Sequence, residues 1–136
     1  MRLSIFSSYF AITLLIFTSP PLRADENSVF QYDSKPTLRG DIRFNQDNPK
    51  QVKRHDFEVV DYALMSNEQG ERWATVTFKN TSTGQRLLAN EYLLAEFADG
   101  TQRFALNLDG KVESGQVLTR TVFFGYHRFP ILRLQW

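Results

Sequence analysis

From Asp56 to the end of the chain, apolar and polar side chains tend to alternate with a period of two. Arg72-Trp73-Ala74-Thr75-Val76-Thr77-Phe78-Lys79 sets Ala74, Val76 and Phe78 on one side and Thr75 and Thr77 on the other. A strand turns successive side chains to opposite faces, so this is the pattern of a strand buried on one side. Phe57-Glu58-Val59-Val60-Asp61-Tyr62-Ala63-Leu64 reads as a second strand, and Asn67-Glu68-Gln69-Gly70 as the turn between the two. Asn80-Thr81-Ser82-Thr83-Gly84 is a loop of turn formers.

Residues 91–98 admit two readings. Leu93, Leu94 and Phe97 stand at helical spacing, yet Asp99-Gly100 follows at once and residues 101–106 are again β-prone. Two such runs joined by Asp-Gly predict a hairpin, because both turn residues tolerate positive φ. Asp109-Gly110 and Ser114-Gly115 mark further turns. Residues 117–124 are rich in β-branched and aromatic side chains, and 131–136 close the chain after Pro130. Six or seven short strands at intervals of about ten residues predict an all-β, antiparallel sandwich.

Upstream the pattern weakens. Residues 25–36 are polar, with Phe30 and Tyr32 as isolated aromatics, and read as an N-terminal arm. Thr37 to Phe44 is a candidate edge strand interrupted by Gly40, and 45–55 is a long polar connection around Asn48-Pro49. Residues 1–24 differ in kind. Arg2 precedes the uncharged apolar run Tyr9 to Phe17, Ser19-Pro20-Pro21 breaks any helix, and Leu22-Arg23-Ala24 leads into Asp25-Glu26. This is the layout of a secretory signal peptide cut after Ala24. The apolar run is about half of the roughly 20 residues needed to span a bilayer. The expectation is a periplasmic or secreted product that is not an integral membrane protein once cleaved.

Composition sharpens this. The chain has 136 residues, 42% hydrophobic and 14% aromatic, and no cysteine. An exported domain with these features must hold itself together by packing alone, and thiol chemistry, iron–sulfur centres and Cys-based zinc sites are excluded. Loss of the leader takes Arg2 and Arg23 from the 16 basic residues, leaving 14 against 15 acids, so formal net charge moves from +1 to −1. A nearly neutral chain has no field to draw it onto nucleic acid.

Several segments carry a resemblance. Phe57-Glu58-Val59-Val60-Asp61, Val76 to Ser82, Leu93-Leu94 with Phe97-Ala98-Asp99-Gly100, Ser114-Gly115-Gln116, Val122-Phe123-Phe124 and Phe129-Pro130 with Leu132 and Leu134 follow in that order. The series resembles small exported immunoglobulin-like modules of bacteria, many of them known only as domains of unknown function, over residues 56–136. Ser114 and Gln116 depart from the Pro and Glu frequent in their "PGE"-like turn, and Gly125-Tyr126-His127-Arg128 lengthens the approach to Pro130. The resemblance implies an immunoglobulin-like β-sandwich of about seven strands and a non-catalytic role. It carries over no functional residue.

No catalytic constellation emerges. His55 lies beside Asp56, but neighbours on a strand point to opposite faces, so adjacency counts against a triad. The carboxylates Asp56, Glu58, Asp61, Glu91, Glu96 and Asp99 are the candidates for paired acid chemistry, but acids and bases are interspersed as on an ordinary surface. Metal-ligand and phosphate-cradling spacings are absent, and no cofactor is expected. Arg39-Gly40-Asp41 spells an adhesion tripeptide, and Asn80-Thr81-Ser82 a glycosylation sequon. The last 23 residues lack acids and mix Arg120, His127, Arg128 and Arg133 with Phe123, Phe124, Tyr126, Phe129 and Trp136. If the last two strands pair, these side chains share an exposed face. Arg120, Tyr126, His127, Arg128 and Arg133 are therefore the candidate binding residues, for an envelope protein as partner. The alternatives are a carbohydrate-binding module that stacks sugars on Trp73, Tyr92 or Trp136, and a small inhibitor of an envelope-directed enzyme. The alternating terminus Leu132 to Trp136 also resembles the closing strand of an outer-membrane barrel, but 25–55 offers too few strands to complete one.

Overall fold

The computed structural model describes residues 29–33 and 42–136. The leader 1–24 and the Arg39-Gly40-Asp41 tripeptide lie outside the described residues. Nine strands are formed among those described: β1 (Gln31–Tyr32), β2 (Phe57–Ser66), β3 (Glu71–Asn80), β4 (Arg86–Leu88), β5 (Leu94–Phe97), β6 (Gln102–Phe104), β7 (Gly110–Val112), β8 (Val117–Tyr126) and β9 (Ile131–Gln135). They make three antiparallel sheets, ordered β1-β2-β3-β8, β6-β5-β9 and β4-β7. Leu64, Ala74, Val76, Phe78, Val122 and Phe124 from the four-stranded sheet meet Leu88, Ala95, Phe97, Val112, Ile131 and Leu134 from the other two in one buried cluster. The fold is thus all-β and sandwich-like, with an interior filled by side chains. Burial of each of Phe78, Phe97 and Phe124 contributes about 1.5–3 kcal/mol. No helix among the described residues is long and apolar enough to cross a membrane.

The alternation read in residues 72–79 holds along β3, whose buried positions are Arg72, Ala74, Val76, Phe78 and Asn80. Residues 91–98 follow the strand reading: Leu93 is extended and Leu94–Phe97 form β5, preceded by a single 3₁₀ turn at Asn90–Tyr92. The Asp99-Gly100 hairpin forms, but only Gly100 takes positive φ, at 86°. Asn80 of the sequon is fully buried, with Nδ2 donating to the carbonyls of Gly84 (2.8 Å) and Val112 (2.9 Å), so the folded chain offers it to no enzyme.

Three expectations are corrected. Phe30 and Tyr32 are not isolated on a free arm: Gln31–Tyr32 pairs with Ser66 and Met65 of β2, and the Asp33 N–H donates to the Leu64 carbonyl at 2.9 Å. A ten-residue strand at a sheet edge leaves main-chain groups in need of partners, and the arm supplies some. Ile42 to Phe44, the described part of the candidate edge strand, is not in a strand. The segment from Ile42 to Lys50 instead lies as a strap along the outer side of the β6-β5-β9 sheet. Gln46 Nε2 donates to the Gly100 carbonyl, the Lys50 N–H donates to Gln102 Oε1 at 2.8 Å, and the Lys50 ammonium stands 5.7 Å from the Phe104 ring. All four residues of β5 are therefore buried, Ala95 and Phe97 against the core and Leu94 and Glu96 on the side along which the strap runs.

The last two strands do not pair. β8 pairs with β3 and β9 with β5, because residues 127–130, ending in Pro130, carry the chain from one sheet to the other.

Candidate functional site

The solvent-facing side of the four-stranded sheet carries polar side chains over much of its length. Thr75 faces Thr121 and Thr77 faces Thr119, with hydroxyl oxygens 3.4 and 2.9 Å apart. At one end the composition changes. The cross-strand register aligns Tyr32, Met65, Trp73 and Phe123 in a row across all four strands. The Phe30 ring meets Trp73 edge-on at 5.9 Å, Trp73 and Phe123 lie 4.5 Å apart, and Tyr126 meets Phe123 edge-on at 5.7 Å. Tyr32 and Tyr126 are 75% and 62% exposed, and Phe30 is exposed as well. The buried Trp73 Nε1 has no hydrogen-bond partner.

Tyr126 is fixed by polar contacts. Its hydroxyl donates to Glu71 Oε1 at 3.1 Å, while Asn67 Nδ2 donates to Glu71 Oε2 at 2.7 Å. The hydrogen bond and the charge of Glu71 hold the phenol pKa above the ordinary tyrosine value.

The adjoining β8–β9 loop, residues 127–130, is organised by one buried side chain. Arg72 Nε donates to the carbonyls of His127 and Phe129, both at 3.1 Å, and Nη2 donates to that of Arg128 at 3.3 Å. The planar guanidinium fork suits a cluster of acceptors of this kind. The His127 N–H donates to the Gly70 carbonyl at 2.9 Å, tying the loop to the β2–β3 turn. The imidazole of His127 stacks on Phe97 at 4.0 Å, its Nε2 lies 3.6 Å from Asp99 Oδ2, and its side chain is 12% exposed. Asp99 has a carboxyl pKa below the ordinary value. Desolvation alone would raise it, but the Thr101 N–H and hydroxyl, with the nearby His127, outweigh that. Arg128 lies over the Phe129 ring at 5.9 Å.

Of the five candidate binding residues, Tyr126, His127 and Arg128 are therefore brought together. Tyr126 and Arg128 are exposed, whereas His127 is a positioning residue held beneath the surface. Arg120 is not part of this surface. It faces Val76 on the inward register of β8, and its Nε donates to the Asp109 carbonyl at 3.4 Å. Arg133 belongs to the other sheet, where it is ion-paired with the buried Glu96. Sequence reasoning overlooked Phe30 and Arg72 as contributors, and it named Phe123 in the terminal aromatic mixture without choosing it as a binding residue. The signal for Phe123 was present: it shares its parity with Thr119 and Thr121, as Trp73 does with Thr75 and Thr77.

A second cluster surrounds His55, packed against Tyr92 at 4.8 Å and Phe57 at 5.9 Å. The Phe57 N–H donates to its Nδ1 at 3.1 Å. Burial lowers its pKa, against the opposing pull of the Tyr92 and Phe57 backbones and the Asp56 charge. The neighbouring Asp56 carboxylate is engaged by Arg86 at 2.9 Å. Clefts of about 230 and 320 Å³ flank this histidine, one reaching Trp136 and the other Tyr92. Tyr92 and Trp136 thus border the Phe57 region, while Trp73 stands on the outward face of the four-stranded sheet. The three proposed sugar-stacking residues do not form one platform. Among the described residues, no group of three or more His, Asp or Glu side chains is placed to hold a metal ion.

Comparison with known proteins finds no matching family model, curated protein or solved structure.

Proposed function

We propose that the chain is an exported, non-catalytic, immunoglobulin-like module of the bacterial cell envelope that acts by protein–protein contact. The observation that carries this reading is the row Tyr32–Met65–Trp73–Phe123, continued by Tyr126, on the solvent side of a sheet. Aromatic residues, Met and Arg are what the centres of protein interfaces concentrate, and Tyr, Trp and Arg dominate their energetics. Tyr126 leads into the β8–β9 loop, where Arg72 holds the Arg128 and Phe129 carbonyls and the two side chains are exposed. The immunoglobulin-like part of the reading is supported by connectivity: β2, β3 and β8 are neighbours in one sheet, while β5 and β9 pair in another.

A photo-crosslinking residue at Tyr126 or Tyr32 tests the reading in intact cells, with Thr77 as the control on the polar part of the face. A specific protein adduct at the aromatic end and none at Thr77 is the expected result. Equal labelling at the three positions, or none, would remove this surface from consideration.

One observation favours a second reading. Thr75 and Thr121 stand in the row next to Trp73 and Phe123, and hydroxyls beside aromatic rings also suit a neutral glycan. Tryptophan fluorescence titrated with polysaccharides separates the two, since a flat response ends the glycan reading.

A further inference from the structure

Phe129 presents both of its main-chain polar groups to one imidazole nitrogen. His127 Nδ1 lies 3.1 Å from the Phe129 nitrogen and 3.2 Å from the Phe129 oxygen. A ring nitrogen either accepts or donates, according to whether it carries a proton. In the uncharged ring the choice is made by Asp99. Its carboxylate, 3.6 Å from Nε2, favours the tautomer with the proton on that nitrogen and opposes a lone pair there. Nδ1 is then the acceptor for the Phe129 N–H, while the Phe129 carbonyl is held by Arg72 Nε. A second proton reverses the preference. Nδ1–H would face the Phe129 N–H as donor against donor, with the carbonyl's second lone pair within reach.

We propose that protonation of His127 moves its hydrogen bond from the Phe129 N–H to the Phe129 carbonyl, giving the β8–β9 loop two arrangements selected by pH. Histidine is the side chain whose charge ordinarily changes between about pH 5 and pH 8. The charged groups around the ring come from every element packed on it. Asp99 of the β5–β6 turn favours the added proton. Arg72 of β3, Arg128 of the same loop and Arg103 of β6 oppose it; Arg103 lies 5.7 Å from the Phe97 ring and donates to the Tyr126 carbonyl at 3.2 Å. Glu71 acts at one remove, through Tyr126. Donor facing donor at 3.1 Å pushes the Phe129 N–H away from the ring, and the Phe129 carbonyl is then shared between Nδ1–H and Arg72 Nε, the group that also binds the His127 carbonyl. The consequence for partner binding, stronger on one side of the transition than on the other, rests on the contact reading above. The swap itself does not.

Nuclear magnetic resonance of the purified, nitrogen-15-labelled protein between about pH 8 and pH 5 tests the swap without a partner. The expected result has three parts: a neutral His127 ring protonated on Nε2, a Phe129 amide resonance that moves with the same midpoint as the ring, and amide protection at Phe129 that falls at least about fivefold across it. His127→Gln, which keeps a polar acceptor but cannot titrate, should abolish the Phe129 response while leaving the remaining amide spectrum in place. Should that variant not fold, the unmodified chain alone still decides. A Phe129 amide indifferent to the His127 titration, or a neutral ring protonated on Nδ1, would overturn the proposal. Failure of crosslinking at Tyr126 would instead remove the contact reading and leave the swap standing.

Discussion

The Tyr126 hydroxyl and the Glu71 carboxylate meet at 3.1 Å across β3 and β8, where the register of the two strands shifts between Glu71 and Trp73. The contact joins an exposed aromatic ring to a carboxylate that the Asn67 side chain also holds. It gives the aromatic end a fixed edge.

Tyr126 should therefore ionise above the ordinary tyrosine range. A spectrophotometric titration of the tyrosinate band, with Tyr126→Phe to assign the late component, measures this. Glu71→Gln removes the charge and should bring the late component back toward the ordinary tyrosine range. A titration unchanged by Tyr126→Phe in its late portion would contradict the assignment.

Arg72 is the residue on which the loop depends. Arg72→Met keeps an apolar stem but leaves the His127, Arg128 and Phe129 carbonyls without their shared donor. The expected loss is about 2–4 kcal/mol in denaturant unfolding, with hydrogen exchange rising first at residues 127–129. Arg72→Lys should recover only part of it, because an ammonium cannot match the planar fork.

Acid should destabilise the fold in two stages. His55 has a folded pKa below 6.5, so between that value and 6.5 the unfolded chain binds more protons than the folded one. Its contribution is complete above 6.5, declines as pH falls below it, and levels off once both states are protonated. Asp99, with a folded pKa below 3.8, contributes stability above 3.8 that is lost as pH falls through the folded value. Unfolding midpoints measured against pH should show the first decline vanish in His55→Asn and the second weaken in Asp99→Asn.

Gly100 tests the strap. Its φ of 86° disfavours any L side chain, and a Cβ there would stand 2.6 Å from Phe44 Cγ. Gly100→Ala should cost more than Gly115→Ala, where φ is 71° but the space is open. Positive φ alone accounts for about 1–3 kcal/mol at either site. The excess at Gly100, read from paired thermal melts, reports how firmly Phe44 is seated; equal costs would mean the strap yields freely.

These features were legible in the sequence to different degrees, and the reason is range. Alternation fixed which side chains of β3 share a face, because strand parity is local. The same parity placed Trp73 and Phe123 outward and Arg120 inward, though only the register between strands brings the first two together. Parity alone sets Arg120 and Tyr126 on one face of β8, and it is the register shift between Glu71 and Trp73 that turns Tyr126 outward beside Phe123 and leaves Arg120 inward. The pairing of β8 with β3 rather than β9 depends on a change of sheet at Pro130 that no nearby residue announces. Of the strap, residues 45–50 were read as a connection from their polar composition and Ile42 to Phe44 as part of an edge strand, and neither part has regular structure. That it packs follows from Leu94 and Glu96 on β5, which point away from the core and still need cover.

The burial of Asn80 has a practical corollary. Secretory eukaryotic hosts attach oligosaccharides at Asn-x-Ser/Thr, and Asn80-Thr81-Ser82 qualifies. The amide nitrogen they would modify is the one that later bridges Gly84 and Val112 inside the protein. A sugar added there before folding would block that placement, so yeast or mammalian secretion should yield misassembled, retained material where a bacterial host yields native product.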